Sequence, residues 1–217
     1  RSVIAGNNYL KDFALQFNKN AVVMPSSVDT EKYKPVPCEA DKSQIVIGWI
    51  GSNTTETFLY DLEETFVSLS DKYKNLVFKI VGAKFQSHEL KNVVNKEWAL
   101  SEELSDLQSF DIGIMPMPDN LWTKGKCGFK AILYMACGIP VVASPVGANL
   151  EIIDDGTSGF LARDNKEWTD KLSALIENAS LREKIGKNAR EKIIKKYSLD
   201  YTAPLFYEVL TNGYAEK

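Results

Sequence analysis

Residues 123–147 read TKGKCGFKAILYMACGIPVVASPVG and predict a loop, a helix, a tight turn and a buried strand, in that order. Four apolar residues of the helix follow the i, i+3, i+4, i+7 spacing of one buried face: Phe129, Ile132, Leu133 and Ala136. Gly138 ends the helix, because a residue in the left-handed conformation is placed there most easily without a Cβ. The apolar run IPVVA at 139–143 is typical of a strand buried in a parallel sheet.

The start of this helix combines positive charge with glycine. Lys126 and Lys130 are four residues apart, so they share one face of a helix that contains both. Gly125 and Gly128 stand beside them. A helix start offers free N–H groups and a favourable dipole to an anion. This spacing fits a phosphate site and a solvated basic helix start equally well.

Composition restricts the function classes. The 217 residues are 44% apolar and 25% charged, which is typical of a globular protein with a large core. A net charge of −3 does not favour nucleic acid as a partner, and no apolar run reaches the roughly 18 residues of a membrane span. His88 is the one histidine, which disfavours a Ser-His triad and a histidine-based metal site. Three cysteines without paired spacing (Cys38, Cys127 and Cys137) favour a reducing, cytoplasmic location.

Strands and helices alternate along the chain. The predicted strands are short apolar runs at 2–5, 21–24, 45–50, 76–81, 93–94, 110–115, 139–143 and 160–161. A short helix is predicted at about 87–91, and a capping box formed by Ser180 and Glu183 is predicted to open a helix that runs to about Lys196. The alternation predicts an α/β fold, in which helices cover both faces of a doubly wound, Rossmann-like parallel sheet.

Three segments are expected. Residues 1–43 are assigned to the end of a preceding domain, because they finish in the proline-containing, mixed-charge run EKYKPVPCEADKS, which indicates a linker. Residues 44–197 hold the main sheet, and residues 198–217 hold a last helix. The chain starts at Arg1 without signal-peptide architecture, so we expect a piece of a longer protein.

The order of the elements also predicts where a ligand binds. In doubly wound sheets, ligands bind outside the carboxyl ends of the strands. This rule selects four polar or glycine-bearing loops, at residues 51–53, 82–84, 116–128 and 144–151. Because parallel strands end at the same edge, the four loops are expected to form one composite pocket.

Two segments carry a family resemblance. GFKAILYMACGIPVVASPVG, followed by NLEIIDDGTSGFLA, resembles the donor-binding half of retaining family 4 (group 1) glycosyltransferases. The second segment is the more specific, since five of its residues match the family pattern: Glu151, Asp155, Gly156, Gly159 and Phe160. The resemblance covers at least residues 44–197.

The resemblance implies one half of a GT-B glycosyltransferase of the hexosyltransferase type. A nucleotide-diphosphate sugar would bind this domain, and a missing N-terminal domain would bind the acceptor. The last segment, 198–217, would cross back to that domain, and this chain alone would be incomplete and inactive. The family implies no cofactor and no metal, and any peripheral membrane contact would involve the missing half only.

The resemblance also assigns residues that contact the donor phosphates. Gly51 and Ser52 match a glycine turn near them. Gly128, Phe129 and Lys130 match backbone that approaches the diphosphate. These assignments agree with the anion site that the helix start suggests.

Further residues are assigned to the remaining parts of the donor. Lys126 and Lys130 would stabilise the leaving diphosphate, which is the catalytic role. Glu151 matches the glutamate of the second family motif. Phe85 or Trp98 would bracket the base, although core packing explains either aromatic residue as well.

Two positions depart from the family pattern. Gly125 and Leu133 stand where the family often has two glutamates, the second of which binds the donor ribose. Leucine cannot accept these hydrogen bonds, a loss of roughly 1.5–3 kcal/mol. The first loop has Asn53, Thr54 and Thr55 where the family commonly has an arginine and a lysine.

Two alternative functions stay open at this stage. A nucleotide-sugar epimerase of GT-B architecture would need an acid/base pair, and none is evident in the sequence. A degenerate, non-catalytic transferase subunit is compatible with Leu133. The sequence predicts neither the sugar, the base nor the acceptor.

Overall fold

Two parallel sheets organise the part of the chain that the computed structural model describes, residues 2–36 and 43–215, with side chains described up to 211. The smaller sheet pairs β1 (Val3–Ala5) with β2 (Ala21–Val23). The larger sheet has six strands: β3 (Ile45–Ile50), β4 (Leu76–Val81), β5 (Val93–Lys96), β6 (Ile112–Met115), β7 (Val141–Ala143) and β8 (Phe160–Leu161). Every pairing between these strands is parallel.

The larger sheet has the strand order β5-β4-β3-β6-β7-β8. The first strands of this sheet extend to one side of β3 and the later strands extend to the other side. This is the order of a doubly wound, Rossmann-like sheet, and it puts the topological switch point between β3 and β6. The predicted fold class is therefore confirmed.

Helices cover both faces of the larger sheet. One apolar core lies under α3 and α8, and the other lies under α4, α6 and α9. The helices are α1 (Asn8–Leu15), α2 (Asn53–Glu56), α3 (Glu63–Lys72), α4 (Glu103–Gln108), α5 (Leu121–Lys124), α6 (Phe129–Ala136), α7 (Asn149–Ile152), α8 (Asn165–Glu177), α9 (Ala179–Lys196) and α10 (Leu199–Ala215). None of the described helices is long and apolar enough to cross a membrane.

Two glycines leave room for aromatic rings on one face of the larger sheet, and one of these rings belongs to α6. Gly48 in β3 and Gly113 in β6 are register partners. A Cβ on Gly48 would lie 2.0 Å from Cγ of Phe110, and one on Gly113 would lie 2.6 Å from Cδ2 of Tyr134. Tyr134 of α6 is fully buried, and its hydroxyl accepts a hydrogen bond from the Ile50 N–H at 3.0 Å. Tyr134 thus ties α6 to the end of β3.

Two local predictions are wrong. The segment 87–91 forms no helix. The loop that contains it is held by Asn95, whose side chain exchanges two hydrogen bonds of 2.9 Å with the backbone of Phe85. Helix α9 is capped by Asn178, whose side chain accepts from the third helical N–H, and the capping box predicted at Ser180 lies inside the helix.

The predicted division into three segments stays a prediction. The linker at 31–43 lies partly outside the described residues, because 37–42, including Cys38, are not described. The unit β1-α1-β2 occupies the first segment and α10 the last one.

The packing of Gly48 predicts a large effect of a single methyl group. Gly48→Ala forces its Cβ into the Phe110 ring, so we expect the free energy of unfolding to fall by about 2–3 kcal/mol. Gly125→Ala is the matched control, since its Cβ would approach no atom closer than 3.4 Å and its φ is −74°. Urea denaturation of both variants measures the difference. Equal midpoints for the two variants would contradict this packing.

Candidate functional site

The loops after β3, β4, β6 and β7 lie at the carboxyl edge of the larger sheet. A Cβ on Gly82 would lie 2.1 Å from the carbonyl oxygen of Gly51, so the loops after β4 and β3 touch. A Cβ on Gly147 would lie 2.8 Å from the carbonyl oxygen of Lys124, so the loops after β7 and β6 touch as well. Gly82 and Gly147 also have φ values of +85° and +55°, which disfavour other residues. These contacts bring the predicted loops together in two pairs.

The ammonium group of Lys130 lies between α6 and the end of β3. Its Nζ donates to Oγ1 of Thr55 at 3.0 Å and lies 4.2 Å from the centroid of the Trp49 ring. A Cβ on Gly51 would come within 2.6 Å of this Nζ, so the glycine makes room for it. Burial and, second, the charge of Lys126 lower the pKa of Lys130 to about 7.

Lys130 has no anionic partner among the described residues. The carboxylates that form ion pairs in the described part of the chain all pair with other cations. An ammonium group in apolar surroundings is costly without an opposite charge. An opposite charge beside this group would therefore be favourable.

Lys126 reaches the same region from a different element. Helix α6 begins at Phe129, because Gly128 precedes it in the left-handed conformation with φ +68°. Lys126 therefore lies in the preceding loop, and the prediction that it shares a helical face with Lys130 is wrong. Its Nζ lies 3.7 Å from the centroid of the Trp122 ring, and burial lowers its pKa.

The first turn of α6 is close to the loop after β7. A Cβ on Gly128 would lie 2.2 Å from Cδ1 of Ile152, and the φ of +68° disfavours other residues there as well. Phe129 is 46% exposed and does not belong to the buried face that the spacing predicts, whereas the other three members of that face are buried. Leu133 is one of these three, and it offers no polar atom where the resemblance expects a ribose-binding glutamate.

Two further predicted residues lie at exposed positions. Ser52 precedes α2, and its side chain makes no capping hydrogen bond. Glu151 of α7 accepts a hydrogen bond from Nδ2 of Asn8 at 2.7 Å. No local sequence pattern indicates this contact, because the two residues are 143 positions apart. The unit β1-α1-β2 therefore contacts the loop after β7.

The two aromatic candidates for the base have different environments. Phe85 is 1% exposed and packs on Tyr60, so core packing is its observed role. Trp98 is 48% exposed, and its Nε1 donates to the Glu103 carboxylate at 2.8 Å. Trp98 lines a cavity of about 530 Å³ at the ends of β3, β4 and β5, together with Asn53, Glu56, Gly82, Ala83, Lys84, Asn95, Lys96 and Glu97.

A second cavity of about 490 Å³ lies at the ends of β6, β7 and β8. Its lining includes Met117, Pro145, Arg163 and Trp168, and neither Lys126 nor Lys130 contributes to it. In the described ranges, no group of three or more His, Cys, Asp or Glu side chains is arranged to hold a metal ion.

Comparison with known proteins gives the family context of this site. The sequence profile described as Glycosyl transferases group 1 matches residues 44–178, more than half of the chain. The capsular polysaccharide biosynthesis glycosyltransferase CapM of Staphylococcus aureus is 24% identical over 163 residues, which are 70% of this chain and 42% of CapM. An uncharacterized glycosyltransferase of Methanocaldococcus jannaschii is 34% identical over 128 residues, which are 56% of this chain and 36% of that protein. The chain spans about two fifths of these relatives.

Solved structures agree on the fold. HepE of Anabaena, in complex with UDP and glucose, superposes with a TM-score of 0.80 at 17% identity, covering 97% of this chain and 62% of HepE. The parallel six-stranded sheet therefore has the fold found in GT-B glycosyltransferases. Because the family profile covers most of this sheet, the chain belongs to the group 1 glycosyltransferases.

Proposed function

We propose that this chain binds the nucleotide-diphosphate sugar donor of a retaining glycosyltransferase. The observation that carries the proposal is the ammonium group of Lys130, a residue of the first turn of α6, which has no anionic partner among the described residues. A helix start and a cation together favour a phosphate group. HepE, which has the same fold, holds UDP in its structure.

The chemistry of sugar transfer explains why a cation is needed. The bond between the anomeric carbon and the β-phosphate oxygen breaks, and its electron pair stays on the diphosphate. Lys126, Lys130 and the free N–H groups of α6 would stabilise this developing charge. Fixed charges and dipoles of this kind need no reorganisation during the reaction. We propose that the two lysines make a metal ion unnecessary for this step.

The base and the ribose of the donor would find different degrees of support in the site. Trp98 borders the cavity at the ends of β3, β4 and β5, and we assign that cavity to the base. Leu133 provides no hydrogen bond to the ribose, so more of the binding energy would come from the diphosphate. The acceptor would bind a further domain, so we expect this chain alone to bind a donor without transferring the sugar.

Nucleotide binding tests this proposal. We predict that the chain binds UDP or GDP in calorimetry, and that Lys126→Ala and Lys130→Ala each weaken binding by about tenfold or more, because each removes a charged contact. Lys166→Ala is the control, since this lysine is 84% exposed and pairs with Asp170. The absence of binding to either nucleotide would refute the proposal, as would binding that is indifferent to both site lysines.

Because the described residues offer Lys130 no anionic partner, removing its charge is predicted to stabilise the fold. Its pKa of about 7 lies below the ordinary value of 10.5, so the unfolded chain binds more protons between these values. The cost of the buried charge is therefore complete below pH 7 and fades as the pH approaches 10.5. We predict that Lys130→Met raises the free energy of unfolding by about 1–3 kcal/mol at pH 6, and by less at pH 10.

Urea denaturation of the ligand-free protein at both pH values measures this effect. Lys166→Met loses only an exposed ion pair with Asp170, so it should change stability by no more than about 0.5 kcal/mol at either pH. A Lys130→Met variant that is less stable than the wild type at pH 6 would contradict this prediction, because it would show that the charge of Lys130 does not destabilise the folded state.

A further inference from the structure

The turn between β1 and α1 packs on the loop that carries Lys126. Nδ2 of Asn7 donates to the carbonyl oxygens of both Lys124 and Lys126, at 3.0 Å each. A Cβ on Gly6 would lie 2.3 Å from Sγ of Cys127, so the backbone of the turn lies directly against this loop. These contacts join residues more than 100 positions apart in the sequence.

The side chain of Asn7 is buried and fully used. It is 2% exposed, and its Oδ1 accepts the Leu10 N–H at 2.9 Å, which caps α1. Only one orientation of the amide satisfies these contacts, because two carbonyl oxygens need donors and one N–H needs an acceptor. A primary amide at this position therefore serves the cap of α1 and the loop at the same time.

The loop also has local contacts, since the Lys126 N–H donates to the Thr123 carbonyl oxygen at 3.1 Å and Asn120 forms a capping box with Thr123. Lys124 ends the four-residue helix α5, and the carbonyl groups at a helix end lack partners within the helix. Gly147 packs on the backbone of Lys124 from the opposite segment. Asn7 supplies the two hydrogen bonds that hold the carbonyls on both sides of Gly125.

We propose that Asn7 is a positioning residue for the donor diphosphate, because it fixes the backbone from which Lys126 reaches the site. The inference rests on the proposed function, since it assigns Asn7 a role in that same site. It also means that the unit β1-α1-β2 contributes to donor binding through this loop.

The substitution Asn7→Ser separates the two tasks of the side chain. Serine is as good a helix cap as asparagine, so α1 keeps its start. It has a single O–H donor on a shorter side chain, so it cannot bind both carbonyl oxygens. Asn20→Ser makes the same replacement in the same unit at an exposed position, and it serves as the matched control.

Calorimetry with UDP gives the first readout. We expect Asn7→Ser to weaken UDP binding by about tenfold and Asn20→Ser to leave it unchanged. In the Asn7→Ser background, Lys126→Ala should cost less than about threefold, because its position is already lost. Additive effects of Asn7→Ser and Lys126→Ala would overturn the inference, as would wild-type affinity of Asn7→Ser.

Gly6→Ala keeps Asn7 and displaces the loop through Cys127. It should also weaken UDP binding several-fold. If Asn7→Ser fails to fold, this variant tests whether the contact between the turn and the loop supports UDP binding. Wild-type affinity of Gly6→Ala would then overturn the inference.

Thiol labelling tests the contact without a nucleotide. In a Cys38→Ser background, Cys127 is the accessible thiol, because Cys137 is buried. We expect Ellman's reagent to label Cys127 several-fold faster in Asn7→Ser than in Asn20→Ser. Equal rates would overturn the inference that Asn7 holds the loop. Faster labelling in a protein that binds no nucleotide would instead refute the proposed function and leave the structural contact in place.

Discussion

The close approach of α6 to the larger sheet determines the geometry of the site. Gly48 and Gly113 face each other across β3 and β6, and their missing side chains leave room for two aromatic rings. Tyr134 fills part of this space and binds the Ile50 N–H, the last one in β3. Since Lys130 lies one helical turn before Tyr134, this contact also fixes Lys130 near the loop after β3.

Lys130 contacts the loop in which this chain departs from the family pattern. The resemblance expects an arginine and a lysine in the loop after β3, where this chain has Thr55 and its neighbours. The structure puts a cation at that loop from the opposite side, because Nζ of Lys130 donates to the Thr55 hydroxyl. The charge thus comes from α6, and the loop supplies a neutral acceptor.

A charge held in this way is a compromise between stability and binding. Water would solvate the ammonium group better than Trp49 and Thr55 do, so its burial opposes folding in the absence of a ligand. A bound diphosphate would offset this cost by supplying the opposite charge. The same enclosure that lowers the pKa of Lys130 would strengthen its attraction to that anion, because it excludes water from the contact.

The sequence predicts much of the fold, since apolar runs such as Ile45–Ile50 and Leu76–Val81 specify buried strands directly. It predicts the site only in outline. Because Gly128 is in the left-handed conformation, α6 begins only at Phe129. Lys126 therefore lies in a loop, and Phe129 is exposed. The spacing of apolar residues does not locate the first residue of a helix with this accuracy.

Contacts between distant parts of the chain are a second reason why the sequence does not predict the site in detail. Asn7 looks like an ordinary helix cap, and its two hydrogen bonds to the distant loop depend on how the two units pack. Phe85 and Trp98 are equivalent candidates in the sequence, yet one is buried and the other borders a cavity. Tertiary packing determines both the hydrogen bonds of Asn7 and the exposure of the two aromatic residues. A local sequence pattern carries no information about such packing.

The central claim is that the ammonium group of Lys130, half-buried and without an anionic partner among the described residues, binds a diphosphate. NMR spectroscopy of protein with ¹³C-labelled lysine measures it directly, with the Lys130 signal assigned from its absence in Lys130→Met. The account predicts a titration midpoint near 7 in the free protein. It predicts a midpoint above about 9 with saturating UDP, because the bound anion favours the charged form. A midpoint near 10.5 in the free protein, or one that UDP does not shift, would contradict it.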